Sequence, residues 1–269
     1  MRNNTVLNMV KGLFVGGSML IPGVSGGSMA MILGIYNELI SAVSSFFKNK
    51  KESIKLLGTF MVGASIGIIL FAKPLLYLTD TYTFPMMYFF VGAVIGSIPM
   101  IYKQAKVEKV SIDSVLYIIL GIIIVFLISL IPQELFQTDL NNGIIDYLII
   151  MVAGVIAAIA LILPGISVSY MFLVLGIYEE TIKAIDDMYI PYLLTLGIGL
   201  FIGIVLTTKI LEKAMTIYTK ATYLIILGFV IGSVAAVFPG IPDGIEIIMS
   251  IISLCMGYFI IRKLSSIEH

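Results

Sequence analysis

Long apolar runs broken by short polar segments set the pattern of this chain. Runs such as 56–78 and 115–131 reach or approach the about 20 helical residues that cross a hydrocarbon layer. Their apolar positions are continuous, which predicts helices; a membrane barrel would show alternating segments of about 10 residues. Single helical crossings are expected near 56–78, 84–102, 114–131, 190–208, 222–238 and 246–261. Two further apolar stretches, 6–47 and 145–185, are each interrupted by a Pro-Gly pair, and these carry the most information.

The interruptions are copies of one another. Pro22-Gly-Val-Ser-Gly-Gly-Ser-Met-Ala-Met-Ile-Leu-Gly-Ile-Tyr36 returns 142 positions later as Pro164-Gly-Ile-Ser-Val-Ser-Tyr-Met-Phe-Leu-Val-Leu-Gly-Ile-Tyr178. Later segments repeat at a spacing of 136, pairing Gly63 and Gly67 with Gly199 and Gly203, and Gly92, Gly96 and Ser97 with Gly228, Gly232 and Ser233. Glycines four residues apart let helix backbones approach closely, so these pairs are expected to be packing contacts. A duplicated unit with paired broken helices is the usual build of a transporter's binding site.

Composition fixes the solvent. With 59% apolar residues, 12% charged and a mean hydropathy of +1.10, the chain lies far from the roughly 25% charged make-up of soluble domains. It is expected to be one integral membrane domain over 1–269; the connection at 132–146 is too short to fold alone. The run after Arg2 continues through the repeated motif, so a cleaved signal peptide is not expected. Cys255 is alone and His269 is the sole histidine, which leaves little material for a disulfide, a metal site or histidine catalysis.

Basic residues give the orientation. They cluster at Lys48, Lys50, Lys51 and Lys55, at Lys103, Lys106 and Lys109, at Lys209, Lys213 and Lys220, and at Arg262 with Lys263. The intervening segments 79–84, 132–146 and 239–246 carry acids and no base, while Lys183 is accompanied by Asp186 and Asp187. The positive-inside rule places the basic clusters and both termini in the cytoplasm and the acidic segments outside. Stretch 6–47 must then leave and return on the cytoplasmic side, and 145–185 on the outer side. Each half makes an odd number of crossings, so the second is inverted relative to the first. The expected fold is all-α and polytopic: two inverted repeats, 1–131 with hairpin 6–47 and 145–269 with hairpin 145–185, each a broken hairpin plus three transmembrane helices.

Pro22 removes a backbone donor, and Gly23, Gly26 and Gly27 open conformations closed to other residues, so the helix is expected to break near Val24. In lipid such a break needs protein or a water-filled cavity around it. Each motif is either the tip of a re-entrant hairpin or a turn between two full spans. Re-entry is favoured because 6–21 and 148–163 offer only 16 residues each. At a tip, Ser25 and Ser28, with Ser167 and Ser169 as counterparts, lie where a new helix begins, and free amides make an anion site suited to phosphate. Gly165 follows Pro164 as Gly23 follows Pro22.

Glu38 and Glu180 stand two residues beyond Tyr36 and Tyr178, about 15 Å along a helix from the break. They are candidates for proton or cation coupling or for headgroup-level polar positions. Lys73 aligns with Lys209; it lies on the lysine-poor side and is a candidate to attract external phosphate, whereas Lys209 is expected to snorkel. Lys11, in the first half-helix, is also expected to snorkel.

The paired Pro-Gly-x-Ser segments, each followed by Leu-Gly-Ile-Tyr, resemble the bacterial polyprenyl-phosphate transporter family, the PopT-type undecaprenyl phosphate translocases. The resemblance covers essentially the whole chain and rests on Pro22 to Gly27 with Gly34 and Tyr36, and on Pro164, Gly165, Ser167 and Ser169 with Gly176 and Tyr178. Val168 departs from it, standing where the family has glycine. The resemblance implies a lipid flippase of the bacterial cytoplasmic membrane, returning undecaprenyl phosphate from the outer to the cytoplasmic leaflet for reuse in cell-wall polymers such as peptidoglycan and teichoic acid. It implies no cofactor and no enzymatic step. A lipid phosphatase is disfavoured because there is no internal histidine, and Arg2 and Arg262 lie near the termini. A transporter or channel for a small ion or anion is the main rival, and a structural scaffold the weakest.

Overall fold

The structure is a computed structural model and describes residues 5–19, 24–109, 111–131 and 143–267. Those residues form helices and no strand. The first half contains α1 (Thr5–Ser18), α2 (Gly26–Ile32), α3 (Tyr36–Ser44), α4 (Lys50–Thr81), α5 (Thr83–Gln104) and α6 (Ile112–Ser129). The second contains α7 (Ile144–Ile162), α8 (Val168–Val174), α9 (Tyr178–Asp186), α10 (Ile190–Ile217), α11 (Thr219–Gly232), the single turn α12 (Val234–Val237) and α13 (Ile245–Ile267). Among the described residues six helices are long and apolar enough to cross a membrane: α4, α5, α6, α7, α10 and α13.

Two of these assignments differ from the sequence expectation. Helix α7 has 19 residues, because it starts at Ile144, capped by Asp146, whose carboxylate accepts from the Gly143 N–H at 2.9 Å. Its length therefore permits a full crossing. Conversely, α11 stops after 14 residues, and the single turn beyond it ends at Phe238, held extended ahead of Pro239. A proline disfavours helical backbone in the residue before it.

Local chemistry explains the short helices on either side of each motif. Ser25 and Ser167 are extended N-caps whose hydroxyls accept from the Ser28 and Tyr170 amides, satisfying one of the orphan first-turn donors. At the other end Gly34 and Gly176 adopt φ of 65° and 67°. Gly34 N–H bonds to Met31 O and Ile35 N–H to Ala30 O, and Gly176 and Ile177 repeat this with Leu173 O and Phe172 O. This paired closure is the Schellman motif, which needs a left-handed residue and so favours glycine. The Leu-Gly-Ile-Tyr signature is therefore a helix stop, after which α3 leaves α2 at 116°.

Close glycine contacts fix how the long helices run. A Cβ on Gly63 would overlap the Met9 carbonyl and one on Gly67 the Leu13 carbonyl, so α1 and α4 lie parallel in register. Gly199 against Met151 and Gly203 against Val155 make α7 and α10 parallel in the same way. Gly92 meets Leu254 and Gly96 meets Tyr258, pairing α5 with α13; Gly228 meets Ile118 and Gly232 meets Ile122, pairing α11 with α6. A shift of 136 turns each contact of the former pair into one of the latter. The duplication read from the sequence is thus also a duplication of packing.

Helices α5 and α11 are the helices richest in buried core residues, including Ile101, Leu224, Ile226 and Val230. The outer faces of α4, α6, α10 and α13 expose large apolar groups such as Ile69, Phe126, Phe201 and Phe259, as expected of a bundle whose solvent is lipid.

Candidate functional site

The two interruptions meet inside the bundle. Gly165 donates its backbone N–H to Ser28 Oγ at 2.7 Å and to Ser25 Oγ at 3.1 Å. The Ser25 hydroxyl in turn donates to Ser28 Oγ at 3.1 Å and caps the Ser28 amide at 3.1 Å. Both serines are buried, at 7% and 4% exposure, so this cluster is shielded from the surface. Gly27 faces the last turn of α7, where a Cβ would stand 3.1 Å from the Ile162 carbonyl oxygen and 3.3 Å from the Pro164 nitrogen. Tyr36, also buried, donates its hydroxyl to the Ile162 carbonyl at 2.8 Å. That carbonyl belongs to the final residue of α7, where the helix itself supplies no donor.

Depth follows from α11. Gly165 has φ +84°, and a Cβ there would overlap the Phe229 carbonyl. Phe229 lies ten residues into α11, about 15 Å from the helix start. The cluster therefore sits about 15 Å along the bundle from the start of α11, with its polar groups inside protein.

The remaining candidate residues are distributed as follows. Pro22 and Gly23 lie outside the described residues. Gly26 packs on Met19, and Pro164 is fully buried beside Gly165. Ser167 caps α8, but Ser169 is exposed and occupies the slot of Gly27. The strict counterpart of Ser28 is Tyr170, whose hydroxyl donates to the Ser129 and Ile131 carbonyls at 3.0 and 2.8 Å. Tyr178 is exposed at 36% where Tyr36 is buried at 3%. Lys73 is exposed on α4, and Glu38 and Glu180 are half-buried in the first turns of α3 and α9. The structure thus unites Ser25, Gly27, Ser28, Tyr36, Pro164 and Gly165, and the hydrogen bonds that join them involve none of Lys73, Glu38 and Glu180. Among the described residues no group of three acidic, histidine or cysteine side chains could hold a metal ion.

Sequence reasoning missed a polar rim on the lysine-rich end. Asn37 Nδ2 donates to Gln104 Oε1 at 3.2 Å, the Ser44 hydroxyl donates to the Glu212 carboxylate, and Lys220 Nζ donates to Ser111 Oγ at 3.0 Å. These contacts tie α3 to α5 and α10, and α11 to the start of α6. The signal available in sequence was the placement of Asn37, Gln104 and Glu212 at the borders of apolar runs.

No solved structure matches the chain. Among characterised relatives, it is 33% identical to a polyprenyl-phosphate transporter of Staphylococcus aureus, covering 97% of this chain and 96% of that protein. It is 28% identical to a polyprenyl-phosphate transporter of Vibrio cholerae, covering 88% of this chain and 78% of the relative. The undecaprenyl phosphate translocase-like family matches over residues 15–251, and with the motifs and packing both duplicated, the chain belongs to that family.

Proposed function

We propose that this protein is a lipid-carrier translocase that returns undecaprenyl phosphate from the outer to the cytoplasmic leaflet of the bacterial cytoplasmic membrane, for reuse in cell-wall polymer synthesis. The barrier to that movement is the headgroup. A phosphate monoester carries about −1.5 to −2 charges near neutral pH, and such charge is expensive in hydrocarbon. The protein must offer the phosphate hydrogen bonds at mid-depth while the prenyl tail stays in lipid.

The observation that carries this reading is the contact of Gly165 N–H with Ser25 and Ser28. In the closed arrangement one tip's donor satisfies the other tip's hydroxyls. Parting the tips frees one amide and two hydroxyls to donate to phosphate oxygens, so headgroup entry replaces bonds instead of stranding buried polar groups. Pro22, Gly23, Gly26, Gly27, Pro164, Ser167 and Ser169 shape the two tips in this scheme. Lys73 serves headgroup capture on the outer side, and Glu38 or Glu180 carries a coupling proton or cation. No covalent step is required.

The helix directions support an inverted build with repeats at 1–131 and 145–269. Parallel α1 and α4 require the intervening α2 and α3 to bring the chain back, as a re-entrant hairpin does, and parallel α7 and α10 require the same of α8 and α9. If α4 turns back into α5 at Tyr82, α10 into α11 at Tyr218, and α11 into α13, then parallel α5 and α13 make α4 and α10 point oppositely. With the lysine-rich ends cytoplasmic, both termini lie inside, and rocking of the two halves exposes the tips alternately.

Liposomes carrying labelled undecaprenyl phosphate in one leaflet test this. Wild-type protein should move the label, and Ser25→Ala, Ser28→Ala, Ser167→Ala, Glu38→Gln and Glu180→Gln should slow it. Equal movement in empty liposomes removes the function, and undiminished movement in all five variants removes the site. Flux of a small anion without lipid movement would favour the ion-transporter alternative.

A further inference from the structure

A second polar site lies at the lysine-rich end. A cavity of about 420 Å³ opens between the α5–α6 and α10–α11 connections, lined by Lys106, Asp113, Tyr117, Thr219 and Lys220 among others. Lys220 is held in place: its ammonium donates to Ser111 Oγ at 3.0 Å, and Ser111 is linked to buried Ser114 at 3.1 Å. Two ammonium groups against the single carboxylate of Asp113 leave the lining net positive. The parallel helices α6 and α11 begin here and α5 and α10 end here, so their end dipoles offset and the positive sign comes from the two lysines.

The internal duplication separates scaffold from charge. Shifted by 136, Tyr218-Thr219-Lys220 becomes Tyr82-Thr83-Phe84. Tyr82 and Tyr218 have nearly the same backbone, φ/ψ of −127°/52° and −114°/46°, and each links two apolar helices. The turn is common to both ends of the molecule, but the charges are not. Phe84 stands for Lys220, Ile247 for Ser111, Pro242 for Lys106 and Met249 for Asp113. Building the turn therefore needs neither lysine nor Ser111, and the cationic cavity is an addition made at one end only.

We infer that this cavity binds a phosphate-monoester group, taking the headgroup of the transported lipid at the lysine-rich end after it leaves the paired tips. The inference rests on the translocation reading for its ligand. The one-sidedness gives a duplicated, nearly symmetric route two unlike ends, with an anion trap at one of them.

Site-resolved lysine acetylation of the full chain in phosphatidylcholine nanodiscs tests it, with farnesyl phosphate or inorganic phosphate as probe. At a probe concentration tenfold above Kd, modification of Lys106 should slow about tenfold, while Lys213, outside the cavity lining, reacts at an unchanged rate. Lys220→Phe, which installs the residue of the other half, should abolish protection of Lys106, and Lys106→Asn should abolish protection of Lys220. Protection by both probes identifies the phosphate group as the ligand, and protection by farnesyl phosphate alone identifies the lipid. Equal Lys106 rates with and without either probe overturn the site. Liposome transport measured alongside separates the two readings: transport without protection removes this cavity alone, and protection without transport removes translocation and leaves a phosphate site.

Discussion

Gly165 N–H and Ser28 Oγ, 137 positions apart in sequence, are joined by a 2.7 Å hydrogen bond at the centre of the bundle. This bond is the tightest link between the two interruptions, and removing it leaves a buried amide with Ser25 as its remaining, longer partner. Ser28→Ala is expected to destabilise the closed arrangement by about 1–3 kcal/mol, the cost of an under-satisfied buried group. Thermal unfolding in detergent should fall measurably for Ser28→Ala and little for Ser169→Ala, whose side chain is exposed. Equal shifts would mean that the tips do not depend on this contact.

Tyr36 and Tyr178 are sequence equivalents with unequal duties. Tyr36→Phe removes the donor to the terminal carbonyl of α7, while Tyr178 is exposed. The former should cost about 1–3 kcal/mol and the latter stay within about 0.5 kcal/mol. Denaturation of the two variants side by side checks this, and a larger loss in Tyr178→Phe would contradict the packing described for Tyr36.

Much of this arrangement was legible because it depends on local chemistry. Proline and glycine announced the interruptions, Ser25 and Ser167 announced the new helix starts, and the glycine spacings announced close helix contacts. Gly34 and Gly176 were visible as a repeated motif, but their task as helix stops emerged from the hydrogen bonds of Ile35 and Ile177. What stayed hidden depends on where remote segments lie in space. Nothing in the order of residues says that the Gly165 amide faces Ser28, or that Tyr36 reaches Ile162. Counting Ser169 as the partner of Ser28 followed residue type, whereas backbone position puts Tyr170 there. Lengths also misled: α7 gained residues from its Asp146 cap, and α11 ended before the stretch expected of it.

Helix glycines should not tolerate alanine equally. A Cβ on Gly67 would overlap the Leu13 backbone carbonyl, while around Gly197 nothing lies within 4 Å. Backbone in a parallel helix pair yields only if the whole helix moves, whereas a methyl group in open space demands no shift. Gly67→Ala should therefore lower the yield of folded protein and its unfolding temperature, at the about 1–3 kcal/mol typical of overpacking, while Gly197→Ala lowers neither. The reverse order would place the α1–α4 contact differently from the glycine geometry.

Membrane orientation supplies a direct check on the helix directions. In a Cys255→Ala background, single cysteines at Thr5 and Lys51 bracket the first hairpin, one at Asp187 follows the second, and one at Asp243 lies in an outer connection. If α1 to α3 leave and return on the cytoplasmic side, Thr5→Cys and Lys51→Cys are both shielded from an impermeant maleimide in intact cells. Asp187→Cys and Asp243→Cys react, because α7 to α9 leave and return outside. If the first motif were a span broken midway, Thr5 and Lys51 would lie on opposite faces, and one of the two would label. That outcome would conflict with the parallel α1–α4 register, since parallel helices that both cross the membrane must start on the same side. A single labelling pattern thus tests the helix directions and the inverted repeat together.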